Sequence, residues 1–223
     1  MTANDDTHNL ARLETIGDSI LEAFELQNTV REQSIAHARV LIRQSGLAIR
    51  SIHRSEWDEA SKRLNEIRSL VDEVKTILVD YPDLYHSGHT QDALKEYAEC
   101  SLLFAIIRNT NLPTPEALGI PMSTYINGLA EAATELRRRI LDVIRQHGFE
   151  EDAERMLDAM DAIYTLMNTI DYPDAVTGGL RRRTDVLRGV LERTRGDLTM
   201  SLRQQMLEAA LGSFSGKFDL PSE

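Results

Sequence analysis

The sequence predicts an all-α fold, and three observations carry that prediction. Apolar residues recur at helical spacing over long stretches. Glycine and proline are few and gather at a handful of breaks. No run of alternating β-branched residues is long enough to build a sheet. The expected architecture is a bundle of about six to seven helices that opens with an unusually long one.

Taken in order, helix one is expected from Asn9 to His53, with Leu10, Leu13, Ile16, Ile20, Phe24, Val30, Leu41 and Ile49 as its apolar positions. Ser55 is read as the cap of helix two, with Asp58 three residues on, and that helix runs to Val79 before Tyr81-Pro82-Asp83. Helix three follows Thr90, carries Leu94, Tyr97, Leu102 and Ile106, and stops near Asn109. The stretch from Asn109 to Pro121 holds Pro113, Pro115, Gly119 and Pro121, so it is a connection with at most one helical turn. Ser123 is read as the cap of helix four, which ends near Gln146. Helix five spans Phe149 to Ile170, and helix six Leu180 to Leu211. The domain reading is therefore a flexible N-terminus over 1–8, one helical domain over 9–211 and a loose tail over 212–223.

Composition narrows the function classes. Apolar residues make up 42%, enough for a real core, and the 27% of charged residues argue against a membrane protein. The polar, acidic start from Met1 to Asp6 resembles no signal peptide, so a cytoplasmic location is expected. The single Cys100 sits in an apolar helical stretch and reads as a core residue, as Trp57 and Tyr97 read as packing residues. A net charge of −11 argues against nucleic-acid binding only if charge is evenly spread. Arginines outnumber lysines 21 to 4, and arginine is the better residue for bidentate phosphate contacts.

The chemistry-bearing feature is a set of glutamates on apolar helices. Glu96 and Glu99 stand at i and i+3, Glu131 and Glu135 at i and i+4, so each pair shares one helix face. Like charges so placed repel, and a bound cation would offset the repulsion. An antiparallel pairing of helices three and four, joined by the proline-rich connection, sets all four carboxylates about 12–20 Å from the connection at 1.5 Å per residue. Such a cluster of hard oxygens suits Mg²⁺ or Mn²⁺. In so acidic a chain, paired glutamates are also common on ordinary solvated faces. A second feature is basic: Arg39, Arg43, Arg50 and Arg54 fall within roughly 60° of arc on helix one, a stripe able to track a phosphate backbone or simply to face water. The triplets at 137–139 and 181–183 spread around their helices and are less specific. His86 and His89, just ahead of helix three, are candidate RNA contacts or plain loop histidines.

The stretch Ala93-Leu94-Lys95-Glu96-Tyr97-Ala98-Glu99 resembles the glutamate helix of translin-associated factor X. Tyr125-Ile126-Asn127-Gly128-Leu129-Ala130-Glu131, continuing to Glu135-Leu136, resembles that family's second acidic motif. Leu26-Gln27-Asn28 and Ile52-His53-Arg54 fit its pattern too, and the likeness runs from about Gln27 to Arg203. The resemblance to the translin family implies a translin-like helical bundle that assembles into hollow, roughly octameric shells. It also implies a metal-dependent endoribonuclease site in the factor X type of subunit. It places Glu96, Glu99 and Glu131 on the catalytic acidic positions and Glu135 on a neighbouring one. Glu131 stands where the family often has Asp, the connection over 109–121 is short, and no basic nuclear-targeting segment is present. These departures fit an archaeal or bacterial type whose shell is built from one kind of subunit.

The function expected from residues and resemblance together is cleavage of single-stranded RNA. Single-stranded DNA is a further candidate ligand. Glu96, Glu99, Glu131 and Glu135 hold Mg²⁺ or Mn²⁺, while Arg39, Arg43, Arg50, Arg54, His86 and His89 hold the strand. A non-catalytic translin-like RNA-binding scaffold is the alternative. An all-α nucleoside triphosphate pyrophosphatase is weaker, because its Glu-x-x-Asp spacing is missing here. A ferritin-like di-iron bundle is disfavoured for want of a Glu-x-x-His pair.

Overall fold

The computed structural model describes residues 3–215, with side chains described for 10–213. Every element in that range is helical: α1 (Ala3–His53), α2 (Trp57–Ile77), α3 (Pro82–Tyr85), α4 (Gly88–Ile107), α5 (Pro115–Leu118), α6 (Met122–His147), α7 (Glu151–Asn168), α8 (Asp174–Thr177) and α9 (Leu180–Ser215). The six long helices are the six expected, and α3, α5 and α8 are single turns placed by Pro82, Pro115 and Pro173. Helix α1 begins at Ala3, inside the segment expected to be flexible, and α9 runs to Ser215, past the expected start of the tail. Residues 1, 2 and 216–223 lie outside the described residues.

Two expected caps are corrected. Ser55 does not cap α2; it takes a left-handed conformation (φ 59°) that ends α1, with its N–H on the Ile52 carbonyl and the Glu56 N–H on the Ser51 carbonyl. Its hydroxyl accepts a hydrogen bond from Arg139 on α6. The N-cap of α2 is Glu56, and Asp58 and Glu59 complement the helix dipole in the first turn. Ser123 does not cap α6 either, because Pro121 (φ −61°, ψ 147°) already sets the turn from which α6 starts at Met122.

Helix α4 is apolar on most of its circumference and packs against α1, α2, α6 and α7, so it forms the spine of the core. Leu94, Leu102, Leu103, Leu41, Ile52 and Leu136 are fully buried around it. Cys100 is buried there, as expected, and burial pushes its thiol up to about 12. Trp57 packs edge-on against Phe104 with the Arg108 guanidinium 5.0 Å over its ring, also a packing role.

The pairing of α4 with α6 departs from expectation. Thr124 bonds Gln91, Gly128 abuts the Lys95 carbonyl, and Glu131 accepts from Lys95, so residues 33 to 36 apart meet all along the interface. A constant offset means parallel helices. Ser34 bonds His89 and His53 bonds Glu135, which gives α1 the same direction. Arg183 meets Glu131 near the start of α9, and Arg137 meets Thr194 further along, so α9 runs that way too. Helices α2 and α7 provide two of the return passes. The third is the 108–121 connection, whose prolines keep it largely extended. At ~3.3 Å per residue it easily spans the ~30 Å length of α4.

Helix α1 is far longer than anything beside it. Val30 still packs on Val74, Leu78 and Leu84, but Leu10, Leu13, Ile16, Ile20 and Phe24 are exposed, contrary to a core role within this chain. The core cannot reach them because α2 ends level with Val30.

Arg155 on α7 holds the far end of α4. It donates to the carbonyls of Ile106 (2.8 Å), which also accepts from the Asn109 N–H, and Ile107 (3.3 Å) in the last turn, and it is braced by Asp152 at 2.6 Å. Arg155→Ala is expected to lower stability by about 1.5 kcal/mol, read as a lower urea midpoint at unchanged slope. A loss below about 0.5 kcal/mol would place this clamp among the many surface pairs that contribute little.

Candidate metal centre

The site lies where parallel α4 and α6 cross most closely. Gly128 makes that approach possible. A Cβ there would stand 2.6 Å from the Ala98 Cβ, 2.9 Å from the Lys95 carbonyl oxygen and 3.2 Å from the Glu99 nitrogen. Only glycine lets α6 rest on the α4 backbone between Lys95 and Glu99. One turn above the crossing, α6 presents Glu131; across from it α4 presents Glu96 and Glu99.

Oxygens of Glu96, Glu99 and Glu131 all lie within 4.8 Å of one another, and Glu99 is the most buried of the three. The crowding shows in their protonation. Burial, and then the charges of Glu96, Glu131 and Glu135, push Glu99 up to about 8, with Lys95 opposing. Burial also raises Glu96, where Lys95 again opposes and Glu131 and Asp92 add to the rise. Glu135 stands beside the three. It accepts from His53 Nε2 at 2.7 Å, while the His53 side chain, only 2% exposed, leaves Nδ1 without a partner among the described residues.

Two cations meet Glu131 at one atom. Its Oε1 accepts from Lys95 Nζ at 2.9 Å and from Arg183 Nε at 3.1 Å. Arg183 also donates to Asn127 Oδ1 and the Gly178 carbonyl. Buried Asn127 in turn donates to the carbonyls of Ser123 and Thr177, so the left-handed turn at Gly178 and the start of α9 are locked to α6. A cleft of about 420 Å³ opens over the carboxylates and is lined by Glu99, Glu131, Thr134, Glu135, Arg182 and Arg183. Three gathered carboxylates, one of them with its pKa raised by burial and by its acidic neighbours, are a donor set that fits a hard divalent cation such as Mg²⁺ or Mn²⁺.

The remaining sequence candidates lie elsewhere. Arg39, Arg43 and Arg50 on α1 and Arg54 just past its end are all exposed; Arg54 stands 3.9 Å from Glu56, and the other three form no ion pair among the described residues. The last two flank His53, so the stripe ends on the helical turn that touches Glu135. His86 is exposed and edge-on to Tyr85. His89 bonds Ser34 at 2.8 Å and Ser87 at 3.0 Å, and burial and Arg31 lower its pKa. Neither histidine joins the carboxylates. Sequence reasoning assigned no role to Lys95, Gly128 or Arg183 and gave His53 only a place in a motif. The signal for Arg183 was the 181–183 triplet, and that for Gly128 was a glycine in a helix interior.

No protein-family model matches the chain. An uncharacterised protein of Methanocaldococcus jannaschii is 30% identical over 193 residues, covering 83% of this chain and 85% of that one. Among solved structures the chain is similar to AfC3PO in complex with duplex RNA, with TM-score 0.76, 31% identity, and 87% of this chain and 98% of that one covered. AfC3PO in a further crystal structure gives 0.77, 30%, 87% and 99%. For apo-NeC3PO the values are 0.75, 20%, 82% and 96%, a likeness of fold.

Proposed function

This chain belongs to the translin family, as C3PO does, and is of the archaeal type; from that premise we propose that it is a metal-dependent endoribonuclease acting on single-stranded RNA. The observation that carries the proposal is the gathering of Glu96, Glu99 and Glu131 within 4.8 Å of one another, with Glu99 and Glu131 lining a cleft walled by Arg182 and Arg183. AfC3PO has been seen in complex with duplex RNA, which supports RNA as the ligand and makes the duplex the comparison substrate.

Glu96, Glu99 and Glu131 would hold Mg²⁺ or Mn²⁺, with Glu135 at the edge of the shell. When bound, the ion supplies an acidified water and charge for the phosphate under attack. Arg182 and Arg183 meet the phosphate from the α9 wall, a place for planar guanidinium donors. Glu135 is fixed through Oε1 by His53 and keeps Oε2 to orient the attacking water. Arg39, Arg43, Arg50 and Arg54 lead the strand toward the cleft by phosphate contacts alone, which hold without reading sequence. His86 has its ring free to add one more contact, and His89 serves through the Ser34 and Ser87 bonds that hold the start of α4. The exposed apolar stripe from Leu10 to Phe24 supports a homo-oligomer, with an octameric shell as the family precedent. Among the described residues no helix is long and apolar enough to cross a membrane, and we place the protein in the cytoplasm.

The test is cleavage of end-labelled single-stranded RNA, beside a duplex of the same sequence and a single-stranded DNA, with Mg²⁺, Mn²⁺ or EDTA. Cleavage of the single strand that needs the metal is expected. An Arg39→Ala/Arg43→Ala/Arg50→Ala variant should bind RNA about 10-fold or more weakly at moderate salt, with a shallower salt dependence. Binding without cleavage under any metal would move the protein to the scaffold reading, and hydrolysis of nucleotides alone would replace RNA as the substrate.

A further inference from the structure

Two-ion nucleases place one divalent cation on the attacking side and one on the leaving side of the phosphate. The carboxylates of this chain leave little room for the second. Glu131 Oε1 is already shared by Lys95 Nζ and Arg183 Nε, and Lys95 Nζ also stands 3.8 Å from Glu96 Oε1. Glu135 Oε1 is taken by His53. Charge argues the same way. Fully ionised, Glu96, Glu99, Glu131 and Glu135 carry four negative charges; Lys95 and Arg183 cancel two; one dication cancels the rest. A second dication would leave the half-buried site with a surplus of two positive charges, which is costly away from bulk water. Lys95 is only 14% exposed in its side chain and Arg183 is tied to Asn127 and Gly178 as well, so neither is a loose surface cation.

We propose that Lys95, paired with Arg183 on one oxygen of Glu131, stands in place of a second metal ion, so that the site works with a single divalent cation per protomer. The inference rests on the metal-site reading above and names its stoichiometry and its second charge. Lys95 and Arg183 also line one small recess of about 150 Å³, together with Asp92 and Ser123.

The experiment is Mn²⁺ titration of EDTA-stripped full-length protein, with free Mn²⁺ read by electron paramagnetic resonance, for wild type, Lys95→Met and Lys95→Arg. Thermal melts confirm that each is folded, and the order of RNA cleavage in Mn²⁺ is recorded alongside. Wild type and Lys95→Arg should bind one equivalent per protomer. Lys95→Met frees oxygens of Glu131 and Glu96 and should take up a second, weaker equivalent. Its cleavage should fall about 10- to 100-fold at low Mn²⁺, as for loss of a supporting partner, and should turn from first toward second order in the metal. Two equivalents in wild type, or one in Lys95→Met whatever its rate, would overturn the proposal while leaving a metal-dependent nuclease in place. Wild type that binds no Mn²⁺ would overturn both readings. One equivalent in wild type and two in Lys95→Met without any RNA cleavage would uphold Lys95 as the stand-in cation and remove only the ribonuclease reading.

Discussion

Glu99→Gln is expected to abolish metal-dependent cleavage and, in the same protein, to raise its thermal stability when no metal is bound. Glu99 is the most buried carboxylate of the cluster, and its pKa is raised to about 8 by burial and by three neighbouring glutamates. A folded-state pKa above the unfolded value means that the native state holds the proton more tightly. Stability is therefore complete below about pH 4.5 and falls as pH rises through the window to 8. Glutamine keeps the shape and removes the charge. At pH 8 in EDTA the variant should be more stable by about 2 kcal/mol, a value discounted from full linkage because the cleft is open to water and salt. That corresponds to roughly 5 °C in Tm for a chain of this size. At pH 5 the two proteins should melt together. Cleavage should drop at least ~100-fold, since a ligand matters no less than its supporting partners. In wild type, Mn²⁺ affinity should climb by up to about tenfold per pH unit up to pH 8, because binding displaces the Glu99 proton. A variant that cleaves within a few-fold of wild type, or that melts lower than wild type at pH 8, would remove Glu99 from the centre of the site.

The elements that sequence exposed and those it concealed differ in a physical way. Helix number followed from proline and glycine breaks, which act locally: Pro82, Pro115 and Pro173 stop or start helices whatever the tertiary fold. The glutamate spacing was legible for the same reason, since i and i+3 or i+4 share a face in any helix. Direction was not legible. A connection of about 13 residues suits an antiparallel hairpin if it is compact and a parallel return if it is extended, and only packing chooses between them. The antiparallel and parallel alignments both bring the glutamate pairs to similar heights, so Glu96, Glu99 and Glu131 come together although the expected helix direction was wrong. Nor could sequence weigh the N-terminal stripe of α1. Its spacing is that of a buried face, but burial requires a neighbour, and within one chain α2 ends too soon. Ser55 and Ser123 carried a local capping pattern that backbone conformation overrode. The partners that complete the site come from α1, at His53, and α9, at Arg183. Those helices converge on α6 only in three dimensions.

Gly128→Ala is expected to damage stability and activity together, through geometry alone. The added methyl adds no charge and removes no ligand. It would sit 2.6 Å from the Ala98 Cβ and 2.9 Å from a backbone carbonyl. Neither can rotate away, so α6 must lift off α4. Helix propensity alone would favour alanine by about 1 kcal/mol; the forced separation should reverse this to a net loss of about 2 kcal/mol or more. The same displacement carries Glu131, one turn beyond, away from Glu96 and Glu99. Misplacement by about 1 Å at a reacting centre commonly costs on the order of 100-fold in rate. Cleavage should therefore fall by about that factor, and Mn²⁺ binding should weaken in parallel, at temperatures where circular dichroism still reports a folded protein. Gly17→Ala, on the exposed part of α1 where an added Cβ meets nothing within 4 Å, is the matched control and should leave the metal site intact. If Gly128→Ala melted as wild type does and kept its Mn²⁺ affinity, the close crossing of α4 and α6 would not be what sets the three carboxylates together.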